Sequence, residues 1–491
     1  MAGESPLTGE QLNGDDPRDG FSPATRAWFD GAFAEPTQAQ AGAWRAIGKG
    51  EDTLVVAPTG SGKTLAAFLW AIDKLAAVPP PADPKRRTRV LYISPLKALA
   101  VDIERNLRAP LTGIRHAAHR LGLSEPDIAV AVRTGDTAAD ERRKLAAKPP
   151  DILITTPESL FLLLTSQARE TLRGVETVIV DEVHAVAGNK RGAHLALSLE
   201  RLDALRGEAP PAQRVGLSAT VRPVEEVGTF LGGTRAVTLV QPPSPKRIEL
   251  RVVVPVEDMT ELDTMPGRGS GDDEEIPAPR RSIWPHVEER VLDLIEQHKS
   301  TIVFANSRRL AERLCGRLNE LAAERSEAAG EAELSRLWET SGQKPPAEIM
   351  AQAGAAAGAP AEVARAHHGS VSRQERAEIE EALKAGRLPA VVATSSLELG
   401  IDMGAVDLVV QVEAPPSVAS GLQRVGRAGH NVGDVSRGII FPKYQGDLVQ
   451  SAVVAERMRS GAIEELKIPH NPLDVLAQQI VAMTAVDDWL V

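Results

Sequence analysis

Ala57-Pro-Thr-Gly-Ser-Gly-Lys-Thr64 is the stretch that decides the fold. It follows the apolar run Thr53 to Val56 and precedes Leu65 to Leu75, where apolar residues recur at helical spacing, so it lies where a strand turns into a helix. Glycines at 60 and 62 let the backbone fold tightly enough to aim its N–H groups, with those of Thr59 and Ser61, at a single anion beside the positive end of a helix. Lys63 is placed to reach the outer phosphates of a nucleotide, and the Thr64 hydroxyl to take a Mg²⁺ position. The loop identifies a phosphate cradle and leaves open what the phosphate energy does.

Outward from the loop, short apolar runs alternate with helical segments: Val90 to Ile93, Ile152 to Ile154, Val178 to Val180 and Val215 to Leu217. That alternation predicts a parallel, doubly wound α/β sheet, in which functional residues gather at the carboxyl ends of strands. Ser94-Pro-Leu-Lys-Ala-Leu99, Thr155-Thr-Pro-Glu158, Asp181-Glu-Val-His184 and Ser218-Ala-Thr220 fall at those ends. Asp181 would hold Mg²⁺ and Glu182 would orient the attacking water, as a phosphate-loop ATPase requires. His184, Ser218 and Thr220 are expected to couple nucleotide state to the position of the lobes.

A second alternating series begins after an acidic, Gly- and Pro-containing join: Thr301 to Phe304, Ala390 to Ala393, Leu408 to Val412 and Gly438 to Phe441. Four units are therefore expected: a first lobe at 1–240, a connection at 241–282, a second lobe at 283–443 with a mobile Ala-rich insertion at about 322–362, and a further helical unit at 444–491. Helical periodicity at Leu448 to Arg459 and Leu473 to Met483 opens that last unit, which is read as truncated before it closes a core. In the second lobe, Gln423-Arg-Val-Gly-Arg-Ala-Gly-His430 places Arg424 and Arg427 on one face of a helix start. An arginine brought to a γ-phosphate from another lobe can add about 10³ to 10⁵ in rate.

The length of 491 residues suits about three domains. The single cysteine, Cys315, sits among Leu310, Leu314, Leu318 and Leu321 at helical spacing, which suits packing better than nucleophilic chemistry. A polar N-terminus and the lack of any run of about 18 apolar residues point to a cytoplasmic protein with no membrane association. The net charge of −11 does not exclude a nucleic-acid partner, because binding depends on local patches and seven acidic residues between Asp258 and Glu275 face only Arg268.

Gln40, the phosphate loop, Ser94 to Asp102, Thr155 to Glu158, Asp181 to His184, Ser218 to Thr220, Ile302 to Arg308, His367 to Ser370, Thr394 to Asp402 and Gln423 to His430 resemble, in order, the motif set of superfamily 2 helicases. The extended stretches Val180 to Gly192, Ala393 to Asp402 and Leu422 to His430 look like the large helicase-related (Lhr) family. The resemblance implies two tandem RecA-like lobes followed by a winged-helix unit, and an ATP- and Mg²⁺-dependent translocase moving 3′ to 5′ on single-stranded DNA. Such a motor acts on tailed DNA or RNA:DNA duplexes in repair or processing. It further implies that Gln40 reads adenine, that Gly400 and Asp402 contact nucleotide, and that Lys97, Thr156, Pro157, Ser307, Arg308, His368 and Thr394 track a sugar-phosphate strand. An ATP-gated clamp that does not unwind, an RNA helicase and a small-molecule phosphate-loop enzyme are the alternatives. An aromatic content of 3% makes stacking platforms sparse and phosphate contacts the expected grip.

Overall fold

The computed structural model describes residues 16–243, 247–257, 259, 282–341, 362–400, 403–429 and 434–486. Thirteen strands lie among them: β1 (Thr53–Val56), β2 (Val90–Ile93), β3 (Val130–Arg133), β4 (Ile152–Thr155), β5 (Thr177–Val180), β6 (Gln213–Ser218), β7 (Thr238–Val240), β8 (Ile248–Val252), β9 (Thr301–Phe304), β10 (Ala364–His367), β11 (Ala390–Ala393), β12 (Leu408–Val412) and β13 (Ser436–Phe441). They form one seven-stranded sheet in the order β3-β4-β2-β5-β6-β1-β7 and one six-stranded sheet in the order β10-β11-β9-β12-β13-β8. Every pairing is parallel, as strands joined through helical crossovers require.

Central strands such as β1, β2, β5 and β9 are buried at every position, matching their unbroken apolar runs. Two strands absent from the sequence reading, β3 and β10, are both sheet edges. β3 continues the short apolar run Ile128 to Val132 yet is only half-buried along its length, whereas β10 reads Ala-Arg-Ala-His and carries no continuous apolar signal.

Three expected boundaries move. Ile248–Val252, placed by the sequence in the 241–282 connection, pairs in parallel with β13 and forms an edge of the second sheet. The backbone alternation that looked like a linker is an edge strand with one face covered. The insertion expected at 322–362 begins inside the helix Arg308–Ser341, because its Ala and Glu residues favour continued helix; residues 342–361 lie outside the described residues. The acidic stretch is likewise almost wholly outside them.

The segment 444–491 does not behave as one unit among the described residues. Helix Gln445–Ser460 belongs to the unit of the second sheet, where Met458 lies so close to Gly421 that a Cβ there would meet its sulfur at 2.6 Å. Helix Leu473–Thr484 belongs to the unit of the first sheet and packs on helix Lys190–Leu205. Lys190 Nζ pairs there with Asp474 at 2.5 Å, and Arg201 Nη1 donates to Gln479 Oε1 at 2.8 Å. The first helix buries Asp447, Ser451, Ala455 and Met458 and the second Val475, Gln479 and Ala482, while Val449, Val453, Leu473, Leu476, Ile480 and Val481 stay exposed. No helix among the described residues is long and apolar enough to cross a membrane.

Cys315 is buried in the core of the second sheet's unit, its thiol donating to the Ala364 carbonyl at 3.3 Å. Burial is the main cause that pushes the thiol up to about 11, so it stays protonated at neutral pH and lacks nucleophilic character. Maleimide at neutral pH should therefore leave the folded protein unlabelled and modify Cys315 on unfolding, which intact-mass measurement would score.

Candidate nucleotide and strand site

Strand order explains why distant motifs meet. β1, β6 and β5 are consecutive in the first sheet, so the loop after β1, Ser218 at the end of β6 and Asp181 after β5 lie along roughly 10 Å of one sheet edge. The Ala57 N–H donates to the Ser218 carbonyl at 3.0 Å, which pins the start of the loop to its neighbour.

Gly60 and Gly62 have φ of 83° and 77°, the left-handed conformation that glycine adopts without penalty. At Gly62 a Cβ would also meet Gln40 Nε2 at 2.6 Å, so both backbone freedom and close approach demand glycine. Thr59 and Thr64 are half-buried on either side of this turn. Lys63 is buried, with Nζ donating to the Ala57 carbonyl at 2.9 Å, which curls the side chain back over the loop. The Ser61 hydroxyl oxygen is buried without a hydrogen-bond partner, a polar atom that a bound phosphate would satisfy.

Thr37 and Gln40 form a capping box at the start of helix Gln38–Gly48. Gln40 Oε1 accepts from the Thr37 N–H at 2.9 Å, its Nε2 donates to the Gly62 carbonyl at 3.4 Å, and the Thr37 hydroxyl donates to the Ser61 carbonyl at 2.8 Å. The residue expected to read adenine thus also braces the phosphate loop.

Asp181 and Glu182 are both buried. The Tyr92 hydroxyl donates to Asp181 Oδ2, and the Glu182 N–H donates to Asp181 Oδ1 at 2.8 Å. Burial, and then the adjacent Glu182 charge, push the Asp181 carboxyl well above the usual range. Burial and the same carboxylate hold the Tyr92 phenol above its ordinary value, so it remains a donor. Glu182 adopts φ 47° and ψ 47°, a left-handed conformation that a side-chain-bearing residue rarely takes. Two buried carboxylates side by side, with the Thr64 hydroxyl across the loop, are hard oxygen donors suited to Mg²⁺, whose charge would relieve their repulsion.

His184 lies beside Ser218. Its Nδ1 accepts from the Ala219 N–H at 3.2 Å, lies 3.2 Å from Ser218 Oγ and is 3.5 Å from Glu182 Oε2. Burial lowers its pKa, so the ring is neutral with its proton on Nε2. Thr220 is exposed beyond this contact.

Along the same edge, β2 and β4 present the strand-tracking candidates. Lys97 is exposed and pairs with Asp136 at 2.5 Å. Thr156 is buried and its hydroxyl caps helix Pro157–Leu164 by accepting from the Ser159 N–H. That hydroxyl is committed, so the polar groups this segment can offer an anion are the first N–H groups of the helix.

In the second sheet, β10, β11 and β9 are consecutive and bring His368, Thr394, Ser307 and Arg308 to one edge. Ser307 caps helix Arg308–Ser341 by accepting from the Leu310 N–H at 3.2 Å. Arg308 Nη1 donates to Ser370 Oγ at 2.8 Å, and His368 Nε2 contacts Glu312. Gly400 is half-buried, while Asp402 and His430 lie outside the described residues.

Arg424, expected from spacing as a catalytic arginine, is instead interior. It is 2% exposed and donates to Glu398 Oε1 through Nε at 2.7 Å and again through Nη2, to Asn306 Oδ1 at 2.9 Å and to Gln411 Oε1 at 2.8 Å, with Phe304 beneath it. Withdrawing it would leave the half-buried Glu398 carboxylate and the buried Gln411 amide without their shared partner. Arg427 donates Nη2 to the Glu398 carbonyl at 2.6 Å, three residues further along. Sequence reasoning passed over Tyr92 and Glu398, because the strand pairing of β2 with β5 and the fold-back of the second sheet's loops give them their partners.

Two parallel-sheet units with a phosphate loop and Asp-Glu-Val-His on one define the superfamily 2 helicase class. The DEAD/DEAH box helicase family matches residues 37–227, the helicase conserved C-terminal domain 356–431, and the large helicase-related protein winged helix domain 456–491. The chain is 62% identical over 97% of its length to a Mycolicibacterium smegmatis "Lhr helicase/ probable uracil glycosylase", and 56% identical over 96% to an Escherichia coli "Lhr helicase/uracil glycosylase". The solved structure of Mycobacterium smegmatis helicase Lhr bound to ssDNA and AMP-PNP shares 60% identity and a TM-score of 0.81, over 96% of this chain and 54% of that one. The chain belongs to the large helicase-related (Lhr) family. It spans about a third of those two relatives, 30% and 31% of their lengths.

Two outcomes follow for the folded state. Glu182→Gly should unfold later than Glu182→Ala by about 1 kcal/mol in denaturant titration, because only glycine relieves the left-handed backbone. Arg424→Ala should lower stability by about 3 kcal/mol or more in the same titration.

Proposed function

We propose that this chain is the motor portion of an ATP-dependent helicase, a single-stranded-DNA-dependent ATPase that moves 3′ to 5′ and unwinds tailed DNA or RNA:DNA duplexes. The carrying observation is that one edge of the first sheet presents the phosphate loop, Asp181–Glu182 and the Lys97 and Thr156–Pro157 segments on neighbouring strands. Nucleotide hydrolysis and strand contact then share one rigid support. The similar mycobacterial structure is described as bound to ssDNA and AMP-PNP, which supports ATP and single-stranded DNA as ligands here.

In this reading the N–H groups of Thr59 to Gly62 cradle the phosphates and Lys63 leaves the Ala57 carbonyl to pair with the outer phosphates. Thr64 and Asp181 would hold Mg²⁺, which when bound supplies charge neutralisation on the phosphate oxygens. Glu182 orients the attacking water and accepts its proton. Gln40 keeps a second amide N–H and a second carbonyl lone pair with which to meet adenine, and Gly400 and Asp402 contribute to the nucleotide from the second unit. Arg427 is the arginine assigned to the transition-state charge, and Arg424 holds the segment that bears it. His184 and Ser218 pass the state of Glu182 to the Ser-Ala-Thr segment, which ends in Thr220. Lys97, Ser307, Arg308, His368 and Thr394, with the helix start at Thr156–Pro157, grip phosphates without reading bases.

ATP turnover should rise on adding single-stranded DNA. Glu182→Gln should lower the stimulated rate by about 10² or more, and Arg427→Ala by about 10³. Turnover indifferent to added strands would sink the reading, and release of the displaced strand from a 3′-tailed duplex distinguishes a helicase from a non-unwinding clamp.

A further inference from the structure

One side chain joins the three segments that leave the central strands of the first sheet, and no step above uses it. Arg191 follows the Asp-Glu-Val-His motif by seven residues, in the first turn of helix Lys190–Leu205. Its Nη2 donates to the Pro95 carbonyl at 2.6 Å and to Glu158 Oε2 at 3.0 Å, while its Nε donates to Glu158 Oε1. Pro95 precedes Lys97 by two residues in the loop after β2. Glu158 follows Pro157 in the helix after β4. Arg191 itself is carried by the chain that leaves β5 through Asp181 and Glu182.

Its backbone is tightly fixed, while its side chain and that of Glu158 remain partly exposed. Asn189 caps the helix by accepting from the Arg191 N–H at 3.0 Å and the Gly192 N–H at 3.4 Å. A Cβ on Gly192 would stand 2.2 Å from the Val186 carbonyl oxygen, so only glycine lets this helix begin against the short helix Val183–Ala187. The guanidinium is therefore held from the hydrolysis side and reaches to the strand side. Burial raises the Glu158 carboxyl, but hydrogen bonding and charge from Arg191 outweigh it and leave the group below its ordinary value, so the fork remains charge-assisted at neutral pH.

We propose that Arg191 is a positioning residue for strand binding: it sets the spacing between the Lys97 loop and the helix start at Thr156–Pro157, and ties both to the segment carrying Asp181 and Glu182. This rests on the functional reading above. Phosphates along one strand have fixed covalent spacing, so two anion contacts act together only if their supports keep theirs; a loosened support must be ordered at each binding event. The role needs a planar fork that serves a carbonyl and a carboxylate at once, which an ammonium cannot reproduce.

The test uses the whole 491-residue chain, with Arg191→Ala, Arg191→Lys and the milder Glu158→Gln, and a fluorescent oligothymidylate as probe. Anisotropy gives the strand dissociation constant without nucleotide; ATPase titrations give half-saturating strand and half-saturating ATP separately. Both Arg191 variants should weaken strand binding and raise half-saturating strand by about tenfold, with half-saturating ATP moved less than about twofold. Glu158→Gln should shift the same constants in the same direction by less, and Arg191→Ala with Glu158→Gln should be no worse than Arg191→Ala alone. Strand constants like wild type in Arg191→Ala, full rescue by Arg191→Lys, or strand and ATP constants moving together with a lower unfolding midpoint would each overturn the proposal. If the wild-type chain binds no oligothymidylate and its turnover ignores it, the functional reading itself fails; a strand-stimulated wild type beside an Arg191→Ala variant with unchanged strand constants rejects the positioning role alone.

Discussion

The burial of two adjacent carboxylates, Asp181 and Glu182, is the constraint on which the first sheet's site depends. Each ion taken from water costs several kcal/mol unless compensated, and neighbours of like charge add to that cost. The compensation comes from different strands. Tyr92 on β2 donates to Asp181, the Glu182 N–H folds back onto the same carboxylate, and the buried Lys63 ammonium after β1 opposes their charge. Glu182 also occupies a left-handed backbone conformation, so the site stores local strain at the residue assigned to activate water. An arrangement this unfavourable without ligand is suited to a cation and a phosphate chain, which supply what the protein lacks.

The second sheet's unit solves a different problem with one arginine. Arg424 gathers Glu398, Asn306 and Gln411, which come from three separate stretches of sequence, and rests over Phe304. A buried guanidinium with its donors distributed in this way fixes the loops after β9 and β11 against strand β12. Arg427 rides three residues beyond it. The two arginines three residues apart thus separate into one that holds the loops and one assigned to chemistry.

Helix Lys190–Leu205 has a comparable role in the first unit. Its first turn carries Arg191 to Pro95 and Glu158, and its outer face receives helix Leu473–Thr484 through Lys190–Asp474 and Arg201–Gln479. The chain leaving the acidic pair therefore passes through the support of the segments proposed to contact a strand and continues as the seat for the start of the winged-helix region.

The phosphate loop, the acidic pair, most buried strands and the family were legible from residue order, because an apolar run between turns forces a strand and a Gly-Ser-Gly-Lys-Thr turn after it has few other uses. Edge strand β10 escaped because Ala-Arg-Ala-His has no apolar run, β3 was passed over although it ends the run Ile128 to Val132, and the alternating β8 was read as linker because its partner β13 is distant in sequence. The serine, threonine and glutamine roles were only partly legible: Thr156 caps a helix and Gln40 braces the loop, duties that depend on local backbone direction. Sequence by itself determined which chemical groups exist and, through periodicity, which strand ends carry them. Tertiary structure alone decided that Tyr92 meets Asp181, that Arg424 is interior and that Arg191 joins three segments, because hydrogen bonds between distant residues are set by the strand order of a sheet, which no local pattern encodes.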